Sequence, residues 1–171
     1  MEKLNRYIFI FILLLAFKFI SYSQENKALS PRNANYSMKV KLDTEKKTID
    51  GQMQLVWRNI STDTITDLQF HLYLNAFKNS ESTFMKESGG QLRGIKTSRD
   101  DQSWGYCDII EMKDDIGNDL TGKIKYIHPD DENAKDQSVI RVKLSDSVLP
   151  GKEITLNIKF KSTVISFWEK I

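Results

Sequence analysis

Apolar and polar residues alternate with a period of two through most of the chain after residue 33. In "NYSMKVKL", for example, Tyr36, Met38, Val40 and Leu42 alternate with polar residues. This period is typical of a β-strand that buries one face. The same pattern predicts strands at Tyr36–Leu42, Thr48–Asn59, Ile65–Leu74, Ile140–Leu144 and Ile154–Phe160.

A further pair of strands is predicted between residues 106 and 127, on either side of the turn-forming sequence "DDIGND". Sustained helical periodicity is absent from the sequence that follows residue 33. Short strands at regular spacing, joined by polar turns, favour an all-β fold. We therefore expect an antiparallel β-sandwich, in which two sheets bury the apolar faces of these strands against each other.

Two local features modify this pattern. Gly51 lies inside a predicted strand, where glycine often marks a bulge or a close approach of the backbone to a neighbour. From Lys78 to Gly105 the alternation fades, and the segment is rich in serine, glycine, lysine and aspartate. We interpret residues 78–105 as a long connection with room for a short helical turn, and long connections are usually functional or mobile.

The first residues do not share the strand pattern. Lys3 and Arg6 precede the apolar run "YIFIFILLLAF", and small serines follow at positions 21 and 23. The run is shorter than the roughly 20 residues of a membrane-spanning helix, and the whole is typical of a secretory signal peptide. We expect a signal peptide at 1–23, a linker at 24–33, a β-sandwich at 34–164 and a divergent tail at 165–171, in a secreted or periplasmic protein. The alternative is that residues 1–23 are not cleaved and anchor the protein to a membrane.

The charge balance gives no indication of a polyanionic partner. Residues 1–23 hold three basic residues and one acidic residue, so removing them lowers the formal net charge from +2 to zero. Nucleic acid is therefore not an expected partner. Cys107 is the one cysteine, so no intrachain disulfide can form. No basic cluster surrounds it in the sequence, which favours a small buried residue over a reactive thiol.

Histidine and the acidic residues are the remaining candidates for chemistry. His71 falls on the polar face of a predicted strand beside Gln69 and Tyr73, which are poor zinc ligands, so a structural role is favoured. A second histidine opens an acidic loop, whose residues are His128, Asp130, Asp131, Glu132 and Asp136. Oxygen-rich loops suit calcium, but this spacing does not match an EF-hand loop. We favour a solvated turn, and the sequence indicates no catalytic, cofactor-binding or metal-binding residue.

Two segments fit the acceptor sequence for N-glycosylation. They are Asn35-Tyr-Ser37 and Asn59-Ile-Ser61. Such an acceptor must be exposed at the surface for an oligosaccharide to be attached.

Several segments, in this order, resemble the start of the mature chain in secreted bacterial members of the aminopeptidase N family of zinc metallopeptidases. The matching features are a first strand that opens near a tyrosine, a second strand with an early glycine and a final asparagine, a third strand ending in "HLYxNAF", the sequence "WGYCDI", and a late "L-x-PG-x-x-x-x-L-x-I-x-F" strand. In this chain they correspond to Tyr36, Gly51, Asn59, His71–Phe77, 104–109 and 148–160. The resemblance covers roughly residues 34–164.

The resemblance implies a saddle-like β-domain that packs on a thermolysin-like catalytic domain and bounds its cleft. In that family the zinc ligands come from HExxH and a downstream glutamate, and a G-x-M-E-N loop holds the substrate amine. None of these motifs occurs in this chain. We therefore expect a non-catalytic domain or fragment, without zinc of its own, whose divergent tail begins near "VISFWEKI".

The alternative hypothesis is an independent secreted β-sandwich that binds a peptide, a glycan or a partner protein. The two hypotheses differ in their expectation about partners, and an exposed interface follows from the first. A domain that lacks its catalytic neighbour exposes apolar surface, which favours docking of that neighbour or self-association.

Overall fold

The computed structural model describes residues 32–89, 91–92, 95–96 and 104–163. The expected signal peptide, the linker up to residue 31 and the expected tail all lie outside these residues. None of the helices in the described ranges is both long and apolar enough to cross a membrane.

The described residues form nine strands, and the expected all-β fold is confirmed. The strands are β1 (Ala34–Asp43), β2 (Thr48–Arg58), β3 (Ile65–His71), β4 (Gln91–Leu92), β5 (Ile95–Lys96), β6 (Tyr106–Asp114), β7 (Ile124–Tyr126), β8 (Val139–Val148) and β9 (Glu153–Thr163). Three short helices interrupt them: a 3-10 helix at Tyr73–Phe77, the α-helix α1 at Thr83–Glu87, and a 3-10 helix at Thr121–Lys123. The short helical turn expected within 78–105 corresponds to α1, which Ser82 caps by accepting a hydrogen bond from the Met85 N–H.

Two antiparallel sheets account for seven of these strands. The larger sheet has the order β1-β2-β9-β6, and the smaller has the order β3-β8-β7. Strands β4 and β5 pair with each other and, within the described ranges, with no third strand. Because β9 lies between β2 and β6, the last strand of the domain joins its first and second halves.

The core lies between the two sheets. The larger sheet contributes Leu55, Met112, Leu156 and Ile158, and the smaller contributes Leu68 and four residues of β8 to the same buried cluster. Those four residues are Ile140, Val142, Leu144 and Val148. Leu120, from the loop after β6, completes the cluster. The two sheets thus pack face to face as a β-sandwich, as the alternation predicted.

The third predicted strand ends earlier than expected. Alternation predicted a strand over Ile65–Leu74, but β3 stops at His71 and Tyr73–Phe77 is a 3-10 helix. Alternation continued by one residue would put Asn75 on the polar face with His71 and Tyr73, whereas its side chain is fully buried. The apolar residues of a 3-10 turn can mimic alternation over a few positions, so the pattern alone misplaced this boundary. The other long strands extend beyond their predicted limits, except that β2 stops one residue short, at Arg58.

Gly51 marks a close approach rather than a bulge. It pairs in register with Phe160 of β9, and a Cβ atom at position 51 would lie 2.1 Å from the tip of the Phe160 ring. The ring therefore covers the glycine backbone and fills the space that a side chain would occupy.

We expect Gly51→Ala to lower the free energy of unfolding by about 1–3 kcal/mol, because the added methyl must displace the Phe160 ring. Thermal or urea unfolding of the purified chain measures this change. Gly122→Ala is the matched control, because no atom lies within 4 Å of the Cβ position there. The penalty at position 51 should shrink in a Phe160→Ala background, and an equal penalty in both backgrounds would contradict the proposed clash.

Candidate functional site

An apolar surface runs along β1. Tyr36, Met38, Val40 and Leu42, which we call the β1 stripe, are each between 54% and 62% exposed. Isolated exposed apolar residues are ordinary, but four large ones in a row on one strand form a contiguous patch of the kind that marks interaction sites.

The β1 stripe lies on the same side of the larger sheet as the core. Tyr36 is directly opposite the buried Leu55, and Met38 is opposite Met53. Directly paired residues of antiparallel strands point to the same face. The three strands of the smaller sheet bury the core face of β2, β9 and β6, but they leave β1 uncovered. The expectation that every predicted strand buries its apolar face is therefore wrong for β1, because a three-stranded sheet does not span a four-stranded one.

No strand among the described residues pairs with the outer edge of β1. The Arg58 N–H donates to the Asn33 C=O at 2.8 Å, so residue 33 directs its polar backbone groups toward β2. Along an antiparallel strand this direction alternates. The even-numbered residues of β1, from Ala34 to Leu42, therefore direct their N–H and C=O groups away from β2, where the larger sheet ends.

The opposite edge of the same sheet is covered. On β6 the Cys107 N–H donates to Asn75 Oδ1 at 2.7 Å, and the Met112 N–H donates to Thr121 Oγ1 at 2.9 Å. Lys78 adds an ion pair to Asp108 at 3.0 Å and lies 5.6 Å from the centre of the Tyr106 ring. Side chains thus occupy backbone donors on β6 that a further strand would need. In the part of the chain that the structure describes, β1 is therefore the open edge of the larger sheet.

The outer face of the larger sheet is polar. Gln54 Nε2 donates to Asn157 Oδ1 at 3.3 Å, and Lys159 pairs with Glu111 at 3.2 Å. A shallow depression of ≈ 330 Å³ opens here, and no aromatic ring is among its lining residues. Pockets for small ligands are usually enclosed and largely apolar or aromatic, so this face is a weaker candidate than β1.

His71 takes no part in a cluster of ligands. It is exposed at the end of β3, with its ring centre 3.9 Å from that of Tyr73 in an edge-on arrangement. Within the described ranges no group of three or more histidine, cysteine, aspartate or glutamate side chains is arranged to hold a metal ion. His71 therefore lies on the strand surface beside Tyr73, and its structural role stays a prediction.

The acidic loop is tied to α1 by its carboxylates. Asp131 Oδ2 accepts from the Thr83 hydroxyl at 2.6 Å, and Asp136 Oδ2 accepts from the Thr83 N–H at 3.1 Å. Asp136 also accepts from the Ser138 N–H at 2.7 Å. Desolvation alone would raise the pKa of Asp136, but the hydrogen bonds from Ser138 and Thr83 outweigh it and hold that pKa below its ordinary value. These carboxylates act as caps and turn acceptors rather than converging on one point.

His128 and Cys107 are the other two candidates from the sequence. His128 is half-buried, and its Nδ1 atom is buried with no hydrogen-bond partner in the part of the chain that the structure describes. Cys107 is half-buried on β6, and desolvation raises the pKa of its thiol. A raised pKa disfavours the reactive thiolate, as the interpretation of Cys107 as a packing residue implies.

The two glycosylation sequences differ in exposure. Asn35 is exposed on β1. Asn59 is fully buried, and its Nδ2 donates both to Val148 O at 2.9 Å and to Asp63 O at 2.7 Å. The amide nitrogen that would carry a glycan is therefore inaccessible at Asn59 in the folded domain.

Asn75 is the structurally important residue that the sequence pattern missed. Its Nδ2 donates to Gln137 O at 2.9 Å, and its Oδ1 accepts from the Cys107 N–H at 2.7 Å. One buried side chain thus joins the 3-10 helix after β3 to β6 and to the segment before β8. The "HLYxNAF" pattern was the available signal, because an asparagine inside an apolar run needs partners for its amide group.

We expect Asn75→Ala to lower the free energy of unfolding by about 1–3 kcal/mol, because buried partners of the amide would lose their hydrogen bonds. Chemical denaturation with urea measures the change. Asn79→Ala is the control, since Asn79 donates to Lys135 O and accepts from the Glu81 N–H in two exposed hydrogen bonds, whose loss should cost less than that of the buried ones, about 1 kcal/mol or below. Equal losses in the two variants would show that the buried amide is not the anchor we describe.

Comparisons with known proteins add a distant structural likeness. A scan against protein-family models found no match, and neither did a search of the curated proteins. Among solved structures, the chain is similar to the CBM3a-L domain with flanking linkers from scaffoldin cipA of the Clostridium thermocellum cellulosome. The identity is 11%, the TM-score is 0.29, and the match covers 77% of this chain and 67% of that one. So distant a likeness says nothing about what this chain binds, and the functional argument stands on the site itself.

Proposed function

We propose that this chain is a non-enzymatic binding module that recognises an extended protein segment by adding it as a strand beside β1. The observation that carries the proposal is the combination of an open edge and an exposed apolar stripe on one strand. In strand addition the backbone hydrogen bonds provide affinity, and alternate side chains provide specificity.

The geometry of β1 defines the chemistry of the segment it would bind. The even-numbered residues direct their backbone groups to the open edge, and the same residues carry the β1 stripe. A segment paired with β1 would therefore place every second side chain beside the stripe, where apolar residues fit. Its intervening side chains would lie opposite Ser37, Lys39 and Lys41, where neutral polar or acidic residues fit because like charges directly opposite each other destabilise a strand pair.

A proline at position 38 separates strand addition from other ways of binding. Met38→Pro removes an outward N–H without removing a bond to β2, and proline is tolerated on an edge strand whose N–H faces solvent. The probe is a synthetic peptide of about ten residues in which valine alternates with glutamate and threonine, labelled for fluorescence anisotropy. We expect the natural chain to bind it and the Met38→Pro variant to bind about tenfold more weakly or worse.

Met38→Ala is the matched control, because it truncates the same side chain and keeps the backbone donor. Circular dichroism and thermal unfolding show whether each variant retains the fold. No binding to the natural chain, or binding that Met38→Pro leaves unchanged, would refute recognition at this edge.

A second candidate is the one that the sequence resemblance implies: the non-catalytic β-domain of a secreted zinc aminopeptidase. The supporting observation is the segment "HLYLNAF", whose asparagine is fully buried and joins three parts of the domain through its amide. A residue with that structural role gives the family-like pattern a physical reason. Under this hypothesis the chain works outside the cytoplasm, and the side chains of the β1 stripe pack on the catalytic domain.

The two candidates differ in whether the backbone or the side chains of β1 make the contact. If the second candidate function is correct, we expect the chain to form a complex with the separately produced zinc-binding catalytic domain of a bacterial aminopeptidase N. Size-exclusion chromatography detects the complex. Val40→Lys, which charges the stripe, should weaken it at least tenfold. Met38→Pro and Met38→Ala both remove the Met38 side chain, so they should weaken the complex equally, since no backbone hydrogen bond of β1 takes part. Failure of the natural chain to form a complex would count against this candidate.

A further inference from the structure

We infer that the segment recognised at β1 is the β1 strand of a second copy of the chain, paired antiparallel about a two-fold axis through Met38. This inference rests on the proposed function and names its partner. It is supported by the sequence of the strand itself, because the β1 stripe supplies the alternation of apolar residues that strand addition at this edge requires.

The positions of the side chains limit the possible registers. Two copies of β1 bring their stripes to the same face only if even-numbered residues pair with even-numbered ones. The two-fold axis then passes midway between the two copies of one residue. The registers that keep most of the strand paired place the axis at Ser37, Met38 or Lys39. A register that pairs even-numbered residues with odd-numbered ones would place the stripe of one copy on the face that carries the polar side chains of the other.

The hydrogen bonds favour the register centred on Met38. In it Met38 pairs with its own counterpart, Tyr36 pairs with Val40 of the second copy, and Ala34 pairs with Leu42. Every outward-directed N–H and C=O group from Ala34 to Leu42 then has a partner. The register centred on Ser37 or on Lys39 leaves groups at one end of each strand unpaired within the strand.

The charges disfavour the register centred on Lys39, and the hydrogen bonds above decide between the other two. Centring on Met38 places Lys39 opposite Ser37 of the second copy and Lys41 opposite Asn35, so no two lysines face each other. Centring on Lys39 places the two Lys39 ammonium groups directly opposite, and like charges in that position destabilise a strand pair. The strand is therefore complementary to itself in one register.

The expected dimer is reversible. One strand from each copy is a smaller contact than the standard interface of about 1,600 Å². Weak contacts of this size dissociate on dilution, so we expect dimers at high protein concentration and monomers at low concentration.

Single cysteines test the register directly, in a Cys107→Ser background that removes the native thiol. Paired residues in the hydrogen-bonded positions have Cα atoms about 5.5 Å apart, within the span of a disulfide. We expect Met38→Cys to form a disulfide-linked dimer under mild oxidation at least tenfold faster than Val40→Cys. Two copies of residue 40 would lie roughly 14 Å apart along the strands, at about 3.4 Å per residue, so that variant is the control.

Two further variants make the experiment decisive. Tyr36→Cys and Val40→Cys should each remain mostly unlinked alone but should cross-link to each other when mixed. Sedimentation velocity over a concentration series should show a dimer that Met38→Pro abolishes. Faster linkage through Lys39→Cys or Ser37→Cys, equal linkage at positions 38 and 40, or a dimer insensitive to Met38→Pro would overturn the inference.

The outcomes separate this inference from the proposed function. A chain that stays monomeric at every concentration, and that forms no Met38→Cys dimer, refutes pairing with a second copy. If that chain still binds the valine-rich peptide through β1, strand addition stands with a different partner. If it binds neither, both the inference and the proposed function fail.

Discussion

The packing of β8 onto the middle of the larger sheet is the interaction on which the rest of the structure depends. Ile140, Val142 and Leu144 supply one wall of the core, and Leu156 and Ile158 of β9 supply the other. Burying such side chains fully contributes roughly 1.5–3 kcal/mol each, and no disulfide is available to assist. This packing centres the smaller sheet over β9 and its neighbours, so it also decides which strand stays outside the core.

The loops around the core are held by two buried asparagines at the two ends of β3. Asn59 precedes the strand and bonds to Val148 O, while Asn75 follows it and bonds to Gln137 O and the Cys107 N–H. Each amide satisfies backbone groups that no sheet could reach, which is the condition for burying an irregular segment. The end of β3 and the edge of β6 therefore share one anchor, and the short helices beside them have a fixed position.

The strands were predictable from the sequence because a period of two has one simple structural meaning, and β1, β2, β8 and β9 lie where alternation indicates. The end of β3 was not predictable from the sequence, because the apolar spacing continues into the 3-10 helix. The burial of the Asn75 amide does not show in the alternation of apolar and polar residues. The exposure of the β1 stripe was also beyond the pattern. Val40 and Val142 look alike in the sequence, yet Val40 is 62% exposed and Val142 fully buried, because burial depends on how far the opposing sheet extends. The role of the acidic loop could not be predicted either, because Thr83 lies far from Asp131 and Asp136 in the sequence and meets them only in the folded chain.

The covered edge of β6 has a consequence for polymerisation. Open sheet edges allow chains to add without end, and natural proteins block them by design. Among the described residues of the larger sheet, Asn75 and Thr121 occupy backbone donors on the β6 edge, so under the proposed function a strand adds beside β1. A heterologous, head-to-tail contact through this sheet needs both of its edges free, whereas two copies that meet at β1 form a closed pair. The amide that anchors a turn would thus also keep this sheet from extending into a fibre.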